Sequence, residues 1–224
     1  MASNIAPMID PGALAIVLAG TLVATIARCG WRDLRVAIGA LGRLGRTTFD
    51  EDANRIALAR TIREIERAGP LCADVPLPPD PSLAKLVDAF LRHGSLDAMH
   101  SIRRAERATR EVTRVQAVRT FEFAGELAPV FGLVGTLFAI TQLVPGTGSA
   151  VETTMSAIGT AVLSTLYGVL TAHLLCIPLA RAIERRGERE ELARDNLAEW
   201  LDRQLRDRPA AIQPRLQPHI RDVA

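Results

Sequence analysis

Three stretches of this chain contain no Asp, Glu, Lys or Arg: residues 11–27, 127–151 and 153–180. At roughly 17, 25 and 28 residues, each meets or exceeds the length that crosses a hydrocarbon core of about 30 Å at about 1.5 Å per helical residue. Ala and Leu dominate and aromatics are scarce, so the chain reads as helical. The second and third stretches form a helical hairpin with a turn near Pro145, Gly146, Thr147 and Gly148. If all three were buried helices of a soluble bundle, polar residues would recur on an outer face, and these segments have almost none. The fold class is therefore all-α: a polytopic membrane protein with three transmembrane helices and a helical cytoplasmic domain.

The first stretch is short and near the N-terminus, as a signal peptide would be. Its leader, MASNIAPMIDPG, has no basic residue and carries Asp10, the opposite of a positive n-region, so it is expected to remain as a span. A net charge of +2 and a pI of about 8.7 say less than where the charges lie. Every arginine and the single lysine, Lys85, fall between Arg28 and Arg119 or after residue 180. By the positive-inside rule, with Arg28, Arg32 and Arg35 carrying most of the inference, these regions are cytoplasmic and the N-terminus is periplasmic. The expected layout is a periplasmic N-terminus (1–10), a first span (11–28), a cytoplasmic domain (29–125), a second span (126–146), a periplasmic turn (147–153), a third span (154–180) and a cytoplasmic helix and tail (181–224).

No enzyme signature emerges. Cys29, Cys72 and Cys176 show no CxxC spacing, and His93, His100, His173 and His219 lack neighbours at ligand spacing, so no metal, cofactor or catalytic residue is expected. GxSxG, HExxH and phosphate-cradling glycine loops are absent. Nucleic acid is an equally poor fit, because acids interleave the arginines and no aromatic stacking platform accompanies them.

In the cytoplasmic region, WRDLRVAIGALGRL reads as a helix leaving the membrane, with arginines near the headgroups. DANRIALARTIREIERAG starts after an acidic cap at 50–52 and stops at Gly69 and Pro70. VPLPPDPS, 75–82, is too proline-rich for a helix and leads to a third, LAKLVDAFLRHG. Residues 95–123 form one further helix running into the second span, and its run RRAERATREVTR reads as a solvated or subunit-facing surface. After the last span, RAIERRGEREELARDNLAEWLDRQLRDR alternates charge like an exposed helix with i,i+4 ion pairs, and the final residues read as loose.

Two small-residue stripes stand out in the hairpin. Ala128, Gly132, Gly135, Thr136 and Ala139 step by three or four residues, as do Ala161, Ser164, Thr165, Gly168 and Ala172. Packing seams account for the glycines and alanines, since small residues let helices approach closely. The hydroxyls have a second reading. Thr136 lies about ten residues, roughly 15 Å, in from Glu126, and Thr165 is near the middle of its span, so both sit near the midplane where transport pathways run. No carboxylate accompanies them, so a titrating acid must come from another chain. Pro129 and Pro178 lie near the same cytoplasmic membrane face. They either bend the helices to pass motion to the cytoplasmic domain or merely shape two helix ends.

APVFGLVGTLFAI followed by SAIGTAVLSTLYGVLTAHLLCIPLARAI resembles the paired spans of the MotA/TolQ/ExbB proton-channel family. IDPGALAIVLAGTLVATI is similar to the span before the cytoplasmic domain in the A subunits of flagellar stators. The resemblance implies a homopentamer around a dimer of a MotB/ExbD/TolR-type single-span protein whose membrane Asp takes up and releases the ion. It implies that the bilayer is the bacterial inner membrane, that Thr136 and Thr165 line the ion path and that Pro129 and Pro178 couple ion passage to movement. The stripes themselves put Ser164 beside the threonines on that path and Gly132, Gly135 and Gly168 in the helix packing. Within ERAGPLCAD, Arg67 and Asp74 are the nearest counterparts of a charged rotor-facing pair. The chain departs from the stators in having no counterpart of the first of their four spans and in carrying His173 where Asn is common. It also lacks the carboxylate typical of ExbB. The leading expectation is thus an A-type subunit of an ion-driven motor or channel, protons being favoured over sodium, with flagellar and Tol/Exb-type roles both open. The alternative is a non-conducting membrane scaffold, and an enzyme comes a distant third.

Overall fold

A computed structural model of the chain describes residues 10–45, 49–68, 77–142 and 150–206, and all regular structure among them is helical. The helices are α1 (Pro11–Cys29), α2 (Trp31–Leu44), α3 (Glu51–Ala68), α4 (Pro81–His93), α5 (Leu96–Thr141), α6 (Ala150–Leu170) and α7 (Ile177–Arg206). A π-helical segment, Thr171–Cys176, joins α6 to α7. Three helices are long and apolar enough to cross a membrane: α1, α5, and the run Thr154–Arg206. The expected turn at 145–148, Asp74 and the tail beyond 206 lie outside the described residues.

Local chemistry sets the helix limits. Asp10 caps α1, its Oδ1 accepting from the N–H groups of Gly12 (2.9 Å) and Ala13 (3.2 Å), and Pro11 takes the first helical position, where no N–H is needed. Gly30, at φ +89°, ends α1 and lets α2 begin at once. Asp50 caps α3 through the N–H of Ala53 at 2.9 Å. Asp80 and Pro81 repeat the cap-and-proline start, so α4 begins inside VPLPPDPS, with Pro81 and Ser82 already helical. That corrects the reading of 75–82 as wholly non-helical: proline stops a helix in its interior but favours its first turn.

The chain divides into two compact units. Met1–Arg46 with Val112–Gly187 holds all three apolar spans. In this unit α1 buries Ala13, Val17, Thr21 and Thr25, one residue per turn on a single face. Beside it, Ala37 of α2 packs into a cluster with Ala117 and Val118 of α5 and Ala180 and Ile183 of α7. The Arg186 guanidinium donates to Leu44 O at 2.5 Å, satisfying a carbonyl at the end of α2. Many large apolar side chains stay outside, among them Leu137 (64%) and Leu174 (66%), which suits helices whose surroundings are hydrocarbon.

The second unit, Thr47–Glu111 with Glu188–Ala224, has an ordinary water-excluding core of Leu58, Ile65, Leu83, Val87, Met99 and Leu201 with their neighbours. Here the structure corrects one expectation of exposure and adds partners to another. In α7, Leu197, Ala198, Leu201 and Leu205 form a buried stripe, so the sign-alternating helix gives one face to the core. In α5, RRAERATREVTR stays at the surface, with Arg104, Arg107 and Glu111 exposed, while Arg103, Glu106 and Arg110 are half-buried. Arg103 and Arg107 each meet Asp195 at 2.9 Å, and Arg110 grips Glu191 through two bonds, 2.9 and 2.8 Å. Alternating charge fits neighbours on one helix and partners across two helices equally well, and tertiary packing chose the second. The most enclosed pair is Asp80 with Arg194 at 3.0 Å, with side chains 5% and 12% exposed. The backbone N–H of Asp80 also donates to Asn54 Oδ1 at 2.9 Å, tying α3 to the start of α4.

Candidate functional site

The two small-residue stripes face each other. A Cβ placed on Gly168 falls 2.7 Å from Ala128 O and 3.1 Å from the Cα atoms of Gly132 and Pro129. One on Gly132 falls 3.0 Å from Ser164 O and 3.3 Å from the Cα of Thr165. The Ser164 hydroxyl fills the place that a side chain on Gly135 would take. Backbone approach this close is available only to residues lacking a Cβ, which is why glycines sit at these steps. Farther along the pair, Gly125 receives Cys176 and Ile177 at 3.3 and 3.5 Å from the same construction.

Helix α1 covers one side of this seam. Gly20 lies against the ring of Phe131, and Ile16 reaches within 3.8 Å of the Cβ position of Gly135. At the start of α1, Asp10 Oδ2 accepts from the Thr160 hydroxyl at 2.6 Å, while the Asp10 N–H donates to the Tyr167 hydroxyl at 3.1 Å. The Thr160 bond, then the Ala13 and Gly12 amides, hold the Asp10 carboxyl below its ordinary pKa against a smaller opposing effect of burial. At the other end of α1, Arg28 meets Glu126 at 3.2 Å and lies 3.9 Å above the ring of Phe123. No sequence pattern marked Asp10, Thr160 and Tyr167 as one cluster, because the three meet only when α1 is laid on α6.

The opposite side of the seam is open. Thr165 precedes Tyr167 by two residues, which places it about 200° round α6 from the side chain that meets α1. Thr136 is likewise rotated away from Phe131, by about 140°. Both threonines are half-exposed. Their hydroxyls donate to their own helices, Thr136 to Leu133 O at 2.6 Å and Thr165 to Ala161 O at 3.5 Å. With the proton so directed, each hydroxyl oxygen keeps lone pairs for a cation or for a protonated acid. Ser164 differs: it is fully buried in the seam, and its oxygen has no hydrogen-bond partner among the described residues. The structure thus brings Thr136 and Thr165 to one open face, with Ser164 behind them.

The prolines are unlike each other. Pro129 sits within uninterrupted α5, half-buried beside Gly168, whereas Pro178 is exposed and lies two residues past the end of the π-helical segment. There Ile177 N–H donates to Ala172 O, one residue farther back than in an α-helix. A proline ring crowds the carbonyl four residues before it, and widening the preceding turn relieves that crowding. Arg67, in the other unit, is exposed and 3.6 Å from Glu64.

Comparison with known proteins follows the same lines. A model of the MotA/TolQ/ExbB proton channel family matches residues 79–196. The chain is 21% identical over 223 residues to chemotaxis protein PomA of Vibrio alginolyticus, which covers 99% of this chain and 85% of that protein. It is 27% identical over 130 residues to the uncharacterised protein YtxD of Bacillus subtilis (strain 168), covering 54% and 47% respectively. Its fold is similar to that of the flagellar MotAB stator complex from Bacillus subtilis, with a TM-score of 0.74 at 20% identity, covering 90% of this chain and 80% of that chain. For C. jejuni MotAB the TM-score is 0.71 at 16% identity, with 94% and 88% covered.

Proposed function

Because this chain belongs to the MotA/TolQ/ExbB proton channel family, a family of channels and not of enzymes, we propose that it is the A-type subunit of a proton-driven inner-membrane motor. One observation carries the reading: two hydroxyls share the open side of a helix pair that holds no acid over 127–141 and 153–170. A pathway that lacks a titrating group of its own at that depth needs one from a partner. The partner is a MotB-type single-span protein that brings a membrane aspartate against Thr136 and Thr165, with five copies of this chain around two of the partner. The likeness to MotAB stator complexes supports that choice, and supports a flagellar role over a Tol/Exb-type one. The N-terminus faces the periplasm and the α3–α4 region the cytoplasm, where the 67–74 segment, with Arg67 and Asp74, meets the driven component. Ser164 braces the threonines from behind, and Pro129 and Pro178 carry the movement out of the membrane.

Proton flux into proteoliposomes containing the chain and its partner tests this. Thr165→Val and Thr136→Val each lower the flux about tenfold, the scale of about 1.4 kcal/mol for one lost hydroxyl interaction, and Thr165→Ser keeps most of it. Flux indifferent to both valines overturns the assigned roles. The second reading, a non-conducting scaffold, draws on the same glycine seam and predicts stable assembly with no flux in any state.

A further inference from the structure

His173 is the one residue within 127–151 and 153–180 whose side chain type changes charge near neutral pH. It is exposed, while its neighbours Ala172 and Cys176 are buried in the seam. An imidazole turned toward hydrocarbon is costly, so an exposed one in a span marks a polar or watery surround. Its direction fits that. His173 follows Tyr167 by six residues, and at about 100° per residue, less through the wider π turn, it lies roughly 200° round from the side that meets α1. Thr165 lies on that same side, about 12 Å away along the axis, and Arg181 is about 12 Å farther toward the cytoplasm.

The backbone at this level supplies a second, independent sign. Ile177 directs its N–H to Ala172 O instead of His173 O, and Pro178 has no N–H to offer Leu174 O. The carbonyls of His173 and Leu174 thus lose their usual donors beside the imidazole, which is how a span holds water. Among the described residues His173 itself has no hydrogen-bond or ion-pair partner. The titratable groups at this level are Glu122 and Glu126 of α5, Arg28 and Cys29 at the end of α1, and Cys176 and Arg181 on the run that bears His173. Glu126 is engaged by Arg28, Arg181 by Glu184, and Cys176 is buried in the seam, which leaves Glu122 as an acceptor farther toward the cytoplasm.

We propose that His173 is a proton station of this chain's own, between the threonine pair and the cytoplasm, reached through water held at the π turn. The inference rests on the reading of the open face as the conducting one. One ring nitrogen takes a proton from water on the Thr165 side as the other releases one to water on the cytoplasmic side. The ring is left with the same number of protons, and no bond between heavy atoms changes.

The test measures proton flux through the chain with its single-span partner in proteoliposomes between about pH 5 and 8. The wild type carries protons throughout that range. His173→Gln, which keeps polarity but cannot relay a proton, loses about tenfold of the flux and changes its pH profile, and added imidazole restores flux to His173→Ala. A His173→Gln complex with unchanged flux and unchanged pH profile overturns the proposal while leaving the threonine roles standing. A wild-type complex that carries no protons sinks the conduction reading and this inference with it. Should His173→Gln fail to assemble, nitrogen NMR of a complex whose other three histidines are Gln decides: a His173 signal that does not move across the window overturns the station.

Discussion

At Gly168 there is no room for a methyl group: the nearest atom, Ala128 O at 2.7 Å, belongs to a backbone that cannot swing aside. Gly168→Ala is therefore expected to destabilise the helix pair by about 1–3 kcal/mol, read as a lower midpoint of thermal unfolding in detergent. Gly39 and Gly42 on α2 are the contrast. A Cβ on either meets open space, so alanine there is neutral or stabilises by up to about 1 kcal/mol through helix propensity. Equal effects at Gly168 and Gly39 would contradict the close approach. The spacing of the stripes was legible in the sequence because a helix repeats every three to four residues. Which hydroxyl points where was not: Ser164 and Thr165 are neighbours on the chain, yet one is sealed in the seam and the other half-exposed.

At the level of the element, one feature depends on a contact between helices and another on a local breaker. The Asp80 carboxylate both caps α4 and receives Arg194, in a site that excludes most water. Asp80→Ala removes the cap and leaves the Arg194 guanidinium with Glu190, at 3.4 Å, as its acid partner, at a cost of about 2 kcal/mol or more, and hydrogen exchange at α4 and the end of α7 should accelerate together. Acceleration confined to α4 would leave only the cap in play. The other feature is the π-helical segment before Pro178. Pro178→Ala returns an N–H that can bond Leu174 O, so the segment should tighten to α-helix and the amide at position 178 should become protected from exchange. A π turn that survives the substitution would show that packing against Gly125, and not the ring, holds it open. Most helix limits were readable within a residue or two from caps and breakers; the start of α4 came earlier, where an aspartate and a proline open the helix, and α6 begins at Ala150, inside the expected turn at 147–153.

For the whole molecule, membership of a proton channel family meets two stretches, 127–151 and 153–180, that hold no acid, so under the proposed function conduction depends on a partner. Proteoliposomes holding this chain alone should be proton-tight, and adding the single-span partner should make them leak. Conduction by the chain alone would mean that its own groups suffice and would move the burden onto His173. The membrane unit was legible in outline because hydrocarbon imposes a strong, local demand: long runs without charge. The second unit was harder, since its arginines and acids satisfy a solvent-exposed helix and a cross-helix lattice with the same sequence.

The sequence by itself determined the three apolar spans, most helix limits, the small-residue stripes and the absence of an acid from 127–151 and 153–180, since each depends on residues near one another in the chain. Only the tertiary structure decided which side of the seam α1 covers, that Asp10 reaches Thr160 and Tyr167, that α7 gives a face to the core, and that Thr136 and Thr165 open to the same side. The reason is physical: spacing along a helix sets an angle relative to that helix alone, and a face acquires a role only when another helix packs beside it.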